Sequence, residues 1–336
     1  MSVPLHDLSA SKVLITGGAG FIGSRTVDQL LESGVGEIVV VDDMVRGRPE
    51  NLVAALADGR VRLVQGDICD RALMGDLMRG SDTVFHLAAL RITQCAAEPR
   101  RAMEVMVGAT YDLLELCVEA QVRKVVMASS ASVYGMASAF PTREDHNPYA
   151  NRTLYGAAKT FAEGLLRTFN DTHGLDYVAL RYFNAYGPRM DIHGRYTEVL
   201  IRWMERIEAG LPPIVFGDGS QTMDMSHVDD IARANVLAAQ APATDIVLNI
   251  GSGTETSLLQ LAELIAEEMG GAGLQQPLHE EERAVNPVPK RQADIALASA
   301  QIGYAPTVSL REGLRGLVAW WRDEKLKASA VPGRAA

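Results

Sequence analysis

The chain has 336 residues, 47% of them hydrophobic, so it is long enough to bury a large core as one large domain or two lobes. Its mean hydropathy is close to zero and its formal net charge is −10, with a sequence pI of about 5.3. That balance excludes the basic face a nucleic-acid binder needs, but a small anionic ligand can still be held by a few local donors.

The first run, KVLIT (12–16), reads as a buried strand and feeds directly into T-G-G-A-G-F-I-G (16–23). Gly17 permits a tight turn, Gly20 lets backbone approach a pyrophosphate, and Gly23 lets the following helix pack on the sheet. Phe21 and Ile22 lie between them, and helical spacing runs over 24–34 with Gly34 as a left-handed cap. The second strand, EIVVVDD (37–43), ends in a carboxylate about 20 residues after the last glycine, where it can accept hydrogen bonds from ribose hydroxyls. Asp42 is the first candidate and Asp43 its rival; a carboxylate there repels a 2′-phosphate and favours NAD over NADP.

VRLVQGD (61–67) is the third strand and sets Asp67, followed by Ile68, to meet the adenine edge. DTVFHLAA (82–89) is the fourth; Leu87, Ala88 and Ala89 are small or apolar where backbone must lie close to a dinucleotide. His86 in this run reads as structural. A helix is predicted over 100–120, then a fifth strand, KVVMASS (124–130), ending in Ser129-Ser130-Ala131-Ser132-Val133-Tyr134-Gly135. Strand C-termini face the ligand crevice of a doubly wound sheet, so a serine there can hydrogen-bond a reacting oxygen.

Tyr155 and Lys159 in Y-G-A-A-K stand one helical turn apart, on a helix predicted over 155–172. A free phenol has a pKa of about 10, and an adjacent ammonium stabilises its anion and brings it into working range as a base. DYVALRYF (176–183) is a sixth strand. Strand and helix in strict alternation imply an α/β, Rossmann-type, doubly wound parallel sheet. After residue 184 the rhythm breaks into Gly- and Pro-rich stretches, which predicts a smaller C-terminal substrate-binding lobe over 184–325. TDIVLNI (244–250) is expected to rejoin the main sheet, a helix is predicted within 256–270, and the tail 326–336 is expected to be disordered.

Cys69, Cys95 and Cys117 are scattered and never spaced as C-x-x-C, so no disulfide framework or metal site is expected and a reducing cytoplasm fits. The N-terminus lacks the basic and apolar regions of a signal peptide, and no apolar run approaches the roughly 20 residues a membrane span needs.

The ordered motifs TGGAGFIGS, VDDMVRGRPENL, GDICD, HLAA, SSASVYG, YGAAK, LRYFNAYGPR and FGDGSQTMDMSHVDD resemble the extended short-chain dehydrogenase/reductase family, in its nucleotide-sugar epimerase and dehydratase branch. The resemblance covers residues 11 to 320. It implies NAD as cofactor, a nucleotide-diphosphate sugar as substrate, and Ser130, Tyr155 and Lys159 as catalytic residues. It also implies cofactor contacts from Arg91 and Tyr182, and substrate contacts from Ser132, Asn184 and Arg291. A homodimer through the helices over 100–120 and 155–172 is implied as well.

Sugar dehydratases and decarboxylases of this family carry a glutamate immediately before V-Y-G or its equivalent. Here Ser132 stands there, preceded by Ala131, so the resemblance points to a 4-epimerase acting on a UDP-sugar through a 4-keto intermediate. Another NAD-dependent nucleotide-sugar oxidoreductase, an epimerase at a different carbon, and a non-catalytic dinucleotide-binding regulator are the alternatives. Met223 departs from the family by standing where many relatives have a diphosphate-binding arginine; either Arg189, Arg195 or Arg291 carries that load, or the substrate differs from the usual UDP-hexose. Met106 and Ala109 depart from the usual Asn and Gly.

Overall fold

Runs of β-branched and aliphatic residues such as KVLIT and EIVVVD have no polar face, and each becomes a strand covered on both sides. In the computed structural model, which describes residues 5–192, 198–270, 277–281 and 288–330, the first six strands are β1 (Lys12–Thr16), β2 (Glu37–Asp42), β3 (Val61–Gln65), β4 (Thr83–His86), β5 (Lys124–Ser130) and β6 (Asp176–Tyr182). Short strands follow: β7 (Asn184–Tyr186), β8 (Ile214–Phe216), β9 (Thr222–Met223) and β10 (Met225–His227), then β11 (Ile246–Ile250), β12 (Thr256–Ser257) and β13 (Leu278–Glu280). Seven of them form one sheet in the order β11-β6-β5-β4-β1-β2-β3. Every pairing in that sheet is parallel. The fold is a Rossmann-type α/β sheet flanked by helices.

The helices are α1 (Phe21–Glu32), α2 (Val53–Leu56), α3 (Arg71–Met78), α4 (Ile92–Ala97), α5 (Pro99–Met103), α6 (Ala109–Glu119), α7 (Leu154–His173), α8 (Val199–Glu208), α9 (Val228–Gln240), α10 (Leu258–Glu268), α11 (Ala296–Ile302) and α12 (Leu310–Ala330). One face of the sheet is closed by apolar residues of α1, α9 and α11, among them Val27, Ile231 and Ile302. The other is closed by α3, α6 and α7 through Leu77, Leu113 and Leu166. A separate core around Trp203, Leu261 and Trp321 unites α8, α10 and α12. The chain thus crosses between layers after residue 183: α9, β11 and α11 return to the sheet. Lys124 of β5 secures this return, its ammonium donating to the carbonyls of Ala241 at 2.5 Å and Ala243 at 2.9 Å, beyond the end of α9.

Several boundaries differ from the sequence expectation for local reasons. α1 begins at Phe21 because Gly20, in extended backbone, takes the N-cap position. β4 stops at His86: the next N–H groups turn to β1, Leu87 to the Thr16 carbonyl and Ala88 to its hydroxyl, both at 3.2 Å. The helix expected over 100–120 is interrupted by a π-helical turn at Glu104–Gly108. α12 runs to Ala330, into the stretch 326–336 expected to be disordered, because Lys, Leu and Ala are good helix formers and Lys327 pairs with Glu324 at 2.9 Å; 331–336 lie outside the described residues. Among the described residues no helix is long and apolar enough to cross a membrane.

Candidate active site

The C-terminal ends of β1, β2, β4 and β5 open onto a cleft of about 1660 Å³ whose far wall is built from residues within 184–191 and 198–225, by Val288 and Arg291, and by α12. All the residues predicted for cofactor, substrate and catalysis line it.

On the β1 side, Gly17 has a φ of 69°, and a side chain there would put its Cβ 2.8 Å from the Ala88 backbone. A Cβ on Gly23 would sit 2.2 Å from the Gly17 carbonyl oxygen, so both positions are closed to anything larger. The N-terminus of α1 has no side-chain cap and no acidic residue in its first turn, which leaves its N–H groups and positive dipole end for an anion.

The two aspartates at the end of β2 are set apart by their surroundings. Asp42 is buried and accepts the N–H groups of Ala19 and Met44, each at 3.0 Å. Burial raises its pKa, partly offset by those two donors. Asp43 is exposed and accepts the Val45 N–H at 2.9 Å. Asp67 accepts the Cys69 N–H at 2.9 Å and pairs with Arg101. Ile68, Leu87, Ala88 and Ala89 form the adjoining wall. His86 bridges the Thr16 hydroxyl at 2.9 Å and the Thr110 hydroxyl at 3.1 Å; burial, and next the Lys159 charge, push its imidazole down to about 3.

Two predicted cofactor residues face partners within the protein. The Tyr182 hydroxyl donates to Asn235 of α9 at 2.6 Å, so only its ring is left to the cleft. Arg91 pairs with Asp191 at 3.8 Å and Glu198 at 3.5 Å. Arg46, which sequence reasoning passed over, joins it on Asp191 at 3.6 Å. The signal for Arg46 is a cation four residues beyond the strand-end carboxylate.

On the other side, Thr153 caps α7 by accepting the Gly156 N–H at 3.1 Å, which sets Tyr155 and Lys159 facing β5. Ser130, the last residue of β5, accepts the Ser132 N–H at 3.1 Å and lines the cleft with Tyr155, whose phenol its hydroxyl pulls down in pKa. The Lys159 ammonium donates to the Ala128 carbonyl at 2.6 Å and lies 5.9 Å from the centre of the Tyr155 ring. Burial pushes Lys159 down to about 8, opposed by Cys95 and Glu163. Burial raises the phenol of Tyr155, opposed by Ser130, Arg291 and Arg46. Positions 131 and 132 bring no carboxylate to this cluster.

Arg291 enters from the far wall, anchored by its N–H on the Thr222 carbonyl at 3.0 Å. Among the described residues no carboxylate pairs with its guanidinium, and burial pushes it down to about 10. Arg189 is instead paired with Asp28 at 2.9 Å, and Arg195 lies outside the described residues. The Asn184 amide donates to the Asp224 carbonyl at 2.9 Å, and Met223 forms apolar wall beside it.

Comparison with known proteins agrees with this geometry. Residues 13–251 match the NAD dependent epimerase/dehydratase family. The UDP-glucose 4-epimerase of Mycolicibacterium smegmatis is 36% identical over 93% of this chain and 99% of its own length. The dTDP-glucose 4,6-dehydratase of an Actinoplanes species is 33% identical over 94% of this chain and 98% of its own. A crystal structure of UDP-glucose 4-epimerase with UDP-glucose, from Thermotoga maritima, superposes with a TM-score of 0.86 at 35% identity, covering 94% of this chain and 99% of that one. With its glycine loop, strand-end Asp42 and Ser130–Tyr155–Lys159 cluster in one cleft, the chain belongs to the NAD-dependent epimerase/dehydratase family, whose members transform nucleotide sugars, and its cofactor is NAD.

Proposed function

We propose that the protein is a nucleotide-sugar 4-epimerase, with a UDP-sugar as substrate. The observation that carries this reading is Tyr155 and Ser130 lining one cleft, with the Lys159 ammonium 5.9 Å from the Tyr155 ring and no carboxylate at Ala131 or Ser132. A carboxylate there is what removal of a C5 proton requires. Without it, the cluster is equipped to take and return the proton of one hydroxyl.

The residues present fit NAD. The uncapped N-terminus of α1 suits a pyrophosphate, Asp42 suits a ribose diol, and Ala88 and Ala89 leave room for backbone approach. When bound, NAD supplies the acceptor and donor of a hydride. Tyr155 as phenolate removes the proton of the sugar 4-hydroxyl, Ser130 holds that oxygen, and Lys159 stabilises the anion. After the 4-keto sugar turns over in the cleft, Tyr155 returns the proton. Arg291 and Asn184 hold the diphosphate, so the sugar can rotate while the nucleotide stays anchored. The segments 184–192 and 198–225, with α10 and α12, form the substrate lobe. Pairing of two copies through α6 and α7 is supported by exposed Met103, Tyr111 and Phe161 on and beside these helices.

The test is incubation of purified protein with UDP-, dTDP-, GDP- and ADP-sugars, followed by NMR. Interconversion of C4 stereoisomers without added NAD is expected. Net accumulation of a keto sugar with release of NADH, or of a reduced sugar with consumption of NADH, overturns the 4-epimerase reading.

A further inference from the structure

Behind the Ser130–Tyr155–Lys159 cluster lies a buried polar chain that the proposed chemistry does not use. Glu163, one turn beyond Lys159 on α7, accepts the Ser129 hydroxyl at 2.5 Å. The same carboxylate is held on both oxygens by Arg181 of β6, at 2.9 Å to Nε and 2.6 Å to Nη2. Arg181 also donates through Nη1 to the Tyr134 hydroxyl and the Glu144 carbonyl, both at 2.9 Å, and Tyr134 donates to Asn249 of β11 at 2.6 Å. The two charged side chains are only 7% and 9% exposed.

A buried ion pair is a poor device for stability, because desolvation offsets most of its attraction; its best-attested use is fixing register. This one joins the elements that carry the chemistry. Ser129 precedes Ser130 on β5, and Glu163 shares a helix face with Lys159 and, two turns back, Tyr155. We propose that Glu163 and Arg181 are positioning residues: their pair ties α7 to β6, holds the Glu163 carboxylate on Ser129 at the end of β5, and balances the charge behind Lys159 and Tyr155. The proposal rests on Tyr155 being the group that transfers the proton.

Lys159 and Tyr155 are acted on by charges from several elements. Lys159 lowers His86 of β4 and is raised by Cys95 of α4 and Glu163 of its own helix. Tyr155 is raised by Cys95 and lowered by Arg291 from the far wall and Arg46 from the loop after β2, and it raises Tyr182 of β6. Glu163 is the carboxylate closest along the helix to Lys159. Removing its charge while keeping its shape leaves Arg181 unbalanced, and so favours phenolate and disfavours ammonium. Removing Arg181 does the reverse.

The test is a spectroscopic titration of Tyr155 in the protein with its dinucleotide bound, read as tyrosinate difference absorbance against Tyr155→Phe in each background. Glu163→Gln is expected to move the ionisation down by about one pH unit, and Arg181→Gln to move it up. Samples are those with a cooperative melting transition, and where either glutamine variant does not fold the methionine variant at the same position replaces it. An unmoved ionisation, or shifts of the same sign, overturns the proposal, since simple loosening of the fold has no reason to act in opposite directions. Failure to turn over any nucleotide sugar sinks the functional reading instead and leaves this titration interpretable.

Discussion

Arg291 and Tyr155 line opposite walls of one cleft, and the phenol raises the pKa of the guanidinium against the burial that lowers it. An arginine desolvated without a carboxylate destabilises the ligand-free protein and is repaid when an anion arrives. Arg291→Met is therefore expected to weaken UDP binding by roughly 10- to 100-fold, the worth of one or two charge-assisted hydrogen bonds, while raising the melting temperature of the ligand-free protein. Calorimetric titration with UDP and thermal melting check this. Unchanged affinity with a lower melting temperature assigns Arg291 to the fold alone.

Tyr155→Phe removes one oxygen and leaves the ring packed. The expected loss in kcat is about 10²- to 10⁴-fold, the usual contribution of a positioned acid or base. NAD content and UDP affinity stay near those of the native protein. Turnover at the native rate rules out phenol chemistry.

The two aspartates at the end of β2 are separable by experiment. Asp42→Asn keeps the shape but loses one acceptor oxygen of the pair that now holds Ala19 and Met44. NAD affinity is expected to fall about tenfold while discrimination against NADP shrinks, as a carboxylate no longer opposes the 2′-phosphate. Asp43→Asn leaves both affinities unchanged. Titration of dinucleotide-stripped protein with each cofactor decides, and equal effects of the two substitutions contradict the assignment.

His86 links stability to pH. Its imidazole is pushed down to about 3 from an ordinary 6.5, so across that window the unfolded chain binds a proton that the folded one does not. Stability contributed by neutral His86 is complete above the ordinary value and is lost as pH falls, with a slope of up to about 1.4 kcal/mol per unit. Urea titrations at several pH values are expected to show that slope in the native protein and its reduction in His86→Gln. Parallel curves for the two proteins reject it.

Much of the sheet is legible in the sequence because a strand buried on both faces announces itself locally as an unbroken apolar run. β1 and β5 fall on the predicted residues for that reason. The glycine loop and the Tyr155–Lys159 turn are legible too, since each is a short-range pattern. What is not legible depends on partners distant in sequence. Asp42 and Asp43 are neighbours with the same chemistry, and only the approach of Ala19, 23 positions away, separates them. Nothing in the sixth strand reveals that the Tyr182 hydroxyl is taken by Asn235, 53 residues on. Glu163 and Arg181 look like ordinary helix and strand residues until the fold closes them together.

β11 pairs along its whole length with β6, from Ile246 opposite Val178 to Ile250 opposite Tyr182, after the chain has already left the sheet to lay down α8 of the other layer. A fragment ending at residue 183 therefore leaves a long, flat, apolar strand with its hydrogen-bonding groups bare, an invitation to aggregate. The dinucleotide half cannot be harvested as a free-standing module. Chimeras that exchange the sugar-facing portion must retain α9, β11 and α11 from the host, grafting only the segments that carry α8, α10 and α12.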